Sequence, residues 1–266
     1  MLHGKSNEKY KNFKGRSKTS PFIHKFRKFF VLNRRVCYIV PIHPKHGGTN
    51  MELHANIFFL TEIIGTIAFA SSGAMVAVRK KLDLFGIIVL GVITAVGGGM
   101  LRDLMIGSIP PNMFRNPIYV FAAFVTVLLM FLIFRCRPHL LGSHYMESYE
   151  KVMNILDAIG LGAFTVTGID TGIDAGYGEY HFLIIFLGVI TGIGGGILRD
   201  IMAGETPFVL KKHVYACASI SGACLYVFLL QFTHSDYAML FSALLVIAIR
   251  ILASHYRWNL PGIPEK

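Results

Sequence analysis

The chain has 266 residues, of which 53% are hydrophobic and only 15% are charged, and its mean hydropathy is +0.54. Soluble domains carry roughly 25% charged residues, so this composition excludes an ordinary soluble protein and indicates an integral membrane protein. The net charge of +11 lies in residues 1–50, which hold twelve Lys or Arg and one acid, whereas residues 51–266 hold fourteen of each sign. The body of the protein is therefore not expected to bind nucleic acid.

The basic segment 1–50 has three interpretations. It is a basic arm that lies on an anionic membrane surface, a targeting segment, or sequence upstream of a true start at Met51. The last interpretation rests on Met51 itself, because a hydrophobic span follows it directly.

Seven apolar segments follow, each close to the roughly 20 residues that span a bilayer. We expect all seven to be helices, because lipid satisfies no backbone hydrogen bonds and the segments lack the alternation of a barrel. They cover about 57–78, 84–106, 118–134, 152–169, 182–203, 214–232 and 237–253. The four cysteines have no spacing typical of metal ligands, so we predict no metal, no cofactor and no disulfide framework.

Two of these segments are nearly identical. Residues 90–105 are LGVITAVGGGMLRDLM, and residues 187–202 are LGVITGIGGGILRDIM, which is a constant shift of 97. Glu62 in span one matches Asp157 in span four at a shift of 95. The pattern predicts a three-helix unit that is used twice, with a seventh helix added.

An odd number of helices per unit determines the predicted fold. Two successive three-helix units enter the membrane from opposite sides and form inverted repeats. We therefore predict an all-α membrane protein with seven transmembrane helices, of which helices two and five are broken at glycine triplets. The predicted divisions are a basic tail at 1–50, a first repeat at 51–138, a cytoplasmic linker at 139–151, a second repeat at 152–235, and a seventh helix with the C-terminal tail at 236–266.

The orientation follows from basic residues in short loops, which are typical of the cytoplasmic side. One side carries Arg79, Lys80, Lys81, Arg135, Arg137, Lys151, Lys211, Lys212, Arg257 and Lys266. The other carries Asp170, Asp174, Glu179 and Asp236, with Arg115 as the main exception. This distribution predicts a cytoplasmic C-terminus.

The glycine triplets lie within spans two and five. Each interior glycine costs a helix about 1 kcal/mol relative to alanine, so three in a row favour a helix that opens and exposes backbone groups to a solute. The alternative is close helix packing. The triplets are Gly97, Gly98 and Gly99, and Gly194, Gly195 and Gly196.

An Arg-Asp pair follows each triplet. Arg102 and Arg199 each cost roughly 2.5–3.5 kcal/mol at this depth, so we expect them to face the bundle interior and to have carboxylate partners. On a regular helix Asp103 and Asp200 point about 100° away from their own arginine. One possibility is that each arginine pairs with the aspartate of the other repeat. Structural ion pairing and solute contact both remain open.

Four further polar residues are candidates for a site or pore. Glu62 and Asp157 are acids within the membrane, with snorkelling or helix capping as the alternative. Thr94 and Thr191 precede the triplets by three residues and line a cavity or bond to their own helix. Nothing resembles a nucleophile with a base, so we do not expect an enzyme.

The repeated GGGxLRDxM at Gly97–Met105 and Gly194–Met202, with the GxxP that follows each copy, resembles the bacterial glycine-transporter domain family. That family is distantly similar to the trimeric intracellular cation channels, and the resemblance covers residues 53–253. It implies a homotrimer with one path per protomer in a bacterial plasma membrane, and helices two and five that are broken at glycine.

These residues are compatible with three functions. The first is transport of a small solute, with glycine as the named candidate, because the arginines suit its carboxylate and the acids suit its ammonium group. The second is a monovalent cation (potassium) channel, and the third is a scaffold whose glycines only pack helices. The expected partners are the transported solute or cation, membrane lipid and two further copies of the chain.

Overall fold

A computed structural model describes residues 48–137, 146–211, 214–256 and 258, which belong to one compact unit. The basic tail predicted at 1–50 lies almost entirely outside these residues. The described chain contains seven long helices, which we number in chain order. They are α1 (Gly48–Arg79), α2 (Leu84–Met105), α3 (Ile118–Cys136), α4 (Met146–Gly172), α5 (His181–Met202), α6 (Val214–Leu229) and α7 (Ser235–His255).

Each long helix contains one of the seven predicted apolar segments. Six are long and apolar enough to cross a membrane, while α6 is apolar but has only 16 residues. The prediction of an all-helical membrane protein is confirmed. Helices α1 and α4 begin earlier than the predicted spans, at Gly48 and Met146, because polar turns extend each helix beyond its apolar segment. Part of the predicted linker at 139–151 is therefore helical.

Helices α2 and α5 end in the same way. A glycine with positive φ follows each helix, Gly107 at 73° and Gly204 at 68°. This left-handed conformation allows the next amide to turn back, so the Ser108 amide bonds to the Asp103 carbonyl and the Glu205 amide bonds to the Asp200 carbonyl. Short helices then follow at Asn112–Arg115 and Phe208–Lys211.

Two helix pairs form the centre of the bundle, α1 with α4 and α2 with α5. In the first pair, Phe69 and Phe164 lie with ring centroids 5.3 Å apart. Phe69 packs on Gly160 and Phe164 packs on Gly65. Helices α3, α6 and α7 surround this centre. Many large apolar side chains are exposed, among them Phe121, Phe182 and Phe241, as expected for surfaces that face lipid.

Candidate functional site

The glycine triplets lie where α2 and α5 cross, and both helices run through them without interruption. A Cβ on Gly98 would overlap the carbonyl oxygen of Thr191, and a Cβ on Gly195 would overlap that of Thr94. The prediction of broken helices is therefore wrong. The absence of side chains lets the two backbones touch, and this packing offsets the low helix propensity of glycine.

The first glycine of each triplet packs against a leucine of the other helix. A Cβ on Gly97 would lie 2.5 Å from Leu198 Cδ1, and one on Gly194 would lie 3.1 Å from Leu101 Cδ1. The third glycine of each triplet faces polar side chains instead. A Cβ on Gly99 would lie 3.7 Å from Arg102 Nη2, whereas one on Gly196 would lie 2.9 Å from the Tyr215 hydroxyl and 3.7 Å from Arg199 Nη2.

The two threonines belong to the packing around this crossing. Thr94 Oγ1 donates to the Leu90 carbonyl at 2.6 Å, and Thr191 Oγ1 donates to the Leu187 carbonyl at 2.5 Å. Both threonines are fully buried and press against glycines of α1 and α4. Hydroxyls bonded to their own helix were the alternative to cavity lining, and this geometry favours that alternative.

Each arginine pairs with the aspartate beside it. Arg102 Nε donates to Asp103 Oδ1 at 2.9 Å, and Arg199 Nε donates to Asp200 Oδ1 at 2.9 Å. Pairing between the two repeats is therefore wrong, because the long arginine side chain folds back over the 100° that separates neighbours on a helix. The second oxygen of each aspartate accepts the first amide of the short helix that follows, from Asn112 at 2.7 Å and Phe208 at 2.8 Å.

The second arginine has a short contact with the acid of α4. Arg199 Nη1 lies 2.6 Å from Asp157 Oδ1 and donates to Ser72 Oγ at 2.6 Å. Both ionic side chains are fully buried. Arg250 from α7 adds a second cation, with its Nη2 3.8 Å from Asp157 Oδ2 and its guanidinium 4.4 Å from the ring centroid of Tyr215. We call these residues, with Asp200, the Asp157 cluster.

The first arginine has a looser contact with the acid of α1. Arg102 Nη1 is 3.8 Å from Glu62 Oε1, which is beyond hydrogen-bond distance. That nitrogen and Glu62 Oε2 are buried without a hydrogen-bond partner among the described residues. Both side chains line a cavity of about 40 Å³, with Asp103, Gly99 and Tyr119 on its wall. We call Glu62, Arg102, Asp103 and Tyr119 the Glu62 cluster.

The two clusters differ although their sequences match. The Asp157 cluster has two carboxylates and two guanidinium groups, of which Arg250 lies at the same 3.8 Å that separates Arg102 from Glu62, so its formal charges balance. The Glu62 cluster has two carboxylates but one guanidinium, so one negative charge remains when both acids are ionised. The expected carboxylate partners of the arginines are present, but only the Glu62 cluster combines an unbalanced charge with the cavity described above.

Sequence reasoning missed two groups of residues. Arg250 and Tyr215 lie in α7 and α6, where no repeat draws attention to them. His54 contacts Asp170 and Asp236 across three helices. A single histidine near the end of an apolar span gives no spacing signal of its own, so the sequence alone could not have identified that contact.

The chain is similar to a known family of membrane proteins. The family model described as Glycine transporter matches residues 59–135 and 154–231. A UPF0126 membrane protein of Deinococcus radiodurans is 35% identical over 209 residues, covering 77% of this chain and 92% of that protein. The chain belongs to the glycine transporter family, the UPF0126 membrane proteins. The inner membrane protein YadS of Escherichia coli K12 is 33% identical over 208 residues, covering 77% and 95%.

Solved structures of cation channels share the fold. A TRIC cation channel studied for its conductance is 34% identical, with a TM-score of 0.67, and the match covers 79% of this chain and 98% of that one. The TRIC trimeric intracellular cation channel orthologue from Rhodobacter sphaeroides is 32% identical, with a TM-score of 0.68 and coverage of 76% and 99%. This member of the glycine transporter family is thus a multi-pass membrane protein whose relatives are membrane proteins and channels rather than enzymes.

Proposed function

We propose that the protein moves a small monovalent cation across the membrane and that the cation binds at the Glu62 cluster. The observation that carries this proposal is the unbalanced carboxylate in the cavity. A charge within the membrane is costly unless it is compensated, and within this cluster Arg102 compensates only one of two acids. A cation beside the unpartnered Glu62 Oε2 completes the balance.

Structural relatives support the same function. The matched chains are described as TRIC cation channels and are aligned over nearly their whole length. Carboxylates that line a pore favour cations over anions. The described crossing of α2 and α5 is tightly packed at Gly98 and Gly195, so we infer that conduction requires these helices to move apart or to slide.

The proposal also covers the repeats, the oligomeric state and the orientation in the membrane. We infer two inverted three-helix repeats plus a seventh helix, supported by paired contacts at matched positions, such as Gly65 with Phe164 and Gly160 with Phe69. A homotrimer is inferred from the trimeric Rhodobacter sphaeroides channel. An inner-membrane location is inferred from YadS, and a cytoplasmic C-terminus from the basic loops.

Glycine is the second candidate, for a specific reason. Two unpartnered atoms of opposite charge, Glu62 Oε2 and Arg102 Nη1, belong to side chains that line one cavity. An amino-acid zwitterion offers an ammonium group to the first and a carboxylate to the second. The description of the family model favours the same solute.

Reconstitution tests both candidates in one preparation. The purified chain is placed in liposomes, and potassium flux and labelled glycine uptake are measured for the wild type, Glu62→Gln and the control Glu179→Gln. Glu179 is exposed, so its substitution leaves the cavity intact. We expect Glu62→Gln to lower potassium flux at least about tenfold, because the amide cannot balance the cation, while Glu179→Gln has no effect.

The opposite results are equally specific. Saturable glycine uptake that Glu62→Gln abolishes, without potassium flux in the wild type, would replace the cation with glycine. Potassium flux that Glu62→Gln leaves unchanged would remove the Glu62 cluster from the path.

A further inference from the structure

A cluster around His54 joins four helices at one end of the bundle. His54 Nε2 of α1 lies 3.0 Å from Asp170 Oδ2 of α4, and Nδ1 lies 2.7 Å from Asp236 Oδ1 of α7. Ser235 Oγ is 3.1 Å from the same Nδ1. The hydroxyl of Tyr226 in α6 donates to Asp170 Oδ1 at 2.8 Å.

Both ring nitrogens of His54 therefore face carboxylate oxygens. A neutral imidazole carries one N–H, which would leave a lone pair of the other nitrogen against an oxygen lone pair. Imidazolium donates from both nitrogens and satisfies both acids. We propose that His54 is a proton-binding site whose bound proton holds α1 against α4 and α7, and that loss of this proton releases α1.

The groups around His54 fix the sign of the effect. Among the described residues, the acids in contact with it are Asp170 from α4 and Asp236 from α7, while Asp174 from the turn after α4 adds negative charge near Tyr226. Deprotonation removes the cation that lies between the two facing acids and leaves their mutual repulsion. The contact is therefore closed at low pH and opens as the pH rises.

Water can reach this site. The side chains of His54 and Asp236 are 13% and 18% exposed, although that of Asp170 is only 5% exposed. A proton can therefore exchange with the solution on that side of the bundle without crossing the packed interior.

The opposite end of the α1–α4 pair has a contact at matched positions, but it is neutral. Tyr149 of α4 donates its hydroxyl to the carbonyl of Met75 of α1. Tyr149 minus His54 is 95, and Asp170 minus Met75 is also 95. At one end, these matched positions join α1 to α4 through an ionisable pair. At the other end they join the helices through a phenol and a backbone carbonyl, so loss of the His54 proton acts on its own end alone.

Distance measurement between spin labels tests this inference without any transport assay. Labels are attached at positions 53 and 237 of the full chain, in a background with its four cysteines replaced by serine. Leu53 and Tyr237 are 54% and 58% exposed, so the labels do not disturb the core. Distances are recorded from about pH 5 to about pH 11, so that the scan extends well beyond the ordinary titration range of histidine.

Three variants accompany the wild type. His54→Gln offers one neutral amide, His54→Arg keeps a permanent charge with several donors, and Tyr149→Phe removes the neutral contact at the other end. In the wild type we expect the population with the longer distance to rise at least about tenfold as the pH increases. His54→Gln should show the longer distance at every pH, His54→Arg the shorter one, and Tyr149→Phe the wild-type titration.

Several outcomes would overturn the inference. These are a wild-type distance that does not change with pH, a titration that persists in His54→Gln or His54→Arg, and a titration that Tyr149→Phe abolishes. Should His54→Gln fail to fold, the wild type and His54→Arg still decide the question. Because the measured quantity is a distance, none of these outcomes depends on which solute the protein transports.

Discussion

The crossing of α2 and α5 predicts opposite outcomes for the same substitution at neighbouring positions. In Gly98→Ala, the new methyl group overlaps the backbone carbonyl of Thr191. A backbone atom cannot rotate away as a side chain can, so the helices must separate by about 1 Å or more to restore ordinary contact distances. In Gly99→Ala, the methyl group meets only Arg102 Nη2 at 3.7 Å, which is an ordinary contact.

The magnitude follows from comparing the two variants. Both gain about 1 kcal/mol of helix propensity from alanine, so this gain cancels in the difference. Overpacking costs typically about 1–3 kcal/mol, and we expect Gly98→Ala to be less stable than Gly99→Ala by that amount. At roughly 2–4 °C per kcal/mol, its Tm should be lower by several degrees.

The measurement is thermal unfolding of both variants in the same detergent, followed by the loss of the monodisperse peak in size-exclusion chromatography. Gly195→Ala should behave like Gly98→Ala, because its methyl group overlaps the carbonyl of Thr94. Equal stability of Gly98→Ala and Gly99→Ala would refute the argument that backbone contact at the crossing explains the triplets.

Two further predictions concern single polar contacts. Ser72→Ala removes the acceptor 2.6 Å from Arg199 Nη1 and should lower the free energy of unfolding by about 1.5–3 kcal/mol. Thr167→Val, at the matched position, removes a hydroxyl without a hydrogen-bond partner among the described residues and should lower it far less. Chemical denaturation of both variants would show this difference. Partial burial raises the pKa of Glu205. Its ion pairs with Lys80 and Arg79 outweigh this effect, so the pKa is lowered overall. Glu205→Gln should therefore lower the free energy of unfolding by up to about 1 kcal/mol at neutral pH and at low salt. The difference between the variant and the wild type should vanish as the pH falls through the lowered pKa of Glu205. A difference that persists below that pH would contradict this prediction.

Much of the fold was predictable because membrane spans and duplication leave strong patterns. Apolar length defined the seven helices, and the shifts of 95 and 97 identified Glu62 and Asp157 as matched acids before any contact was known. The need of Arg102 and Arg199 for carboxylate partners followed from the cost of isolated charges in a membrane, although the sequence did not indicate Glu62 and Asp157 as those partners.

Other features depend on tertiary contacts that a pattern does not encode. The low helix propensity of glycine is a weak local effect, and the close approach at Gly98 and Gly195 overrides it. The pairing of Arg102 with Asp103 depends on side-chain length rather than on helix angle. The contribution of Arg250 depends on where an unrepeated helix packs.

The difference in charge between the two clusters has a consequence for membrane voltage. A charge that crosses the whole field changes in energy by about 2.3 kcal/mol per 100 mV, and a charge part of the way across changes by a fraction of this. The balanced Asp157 cluster experiences no net force from the field, whereas an empty Glu62 cluster in which both acids are ionised does. Under the proposed function, a cation that neutralises Glu62 removes that force, so occupancy of the site and the response of α1 and α2 to voltage would be coupled.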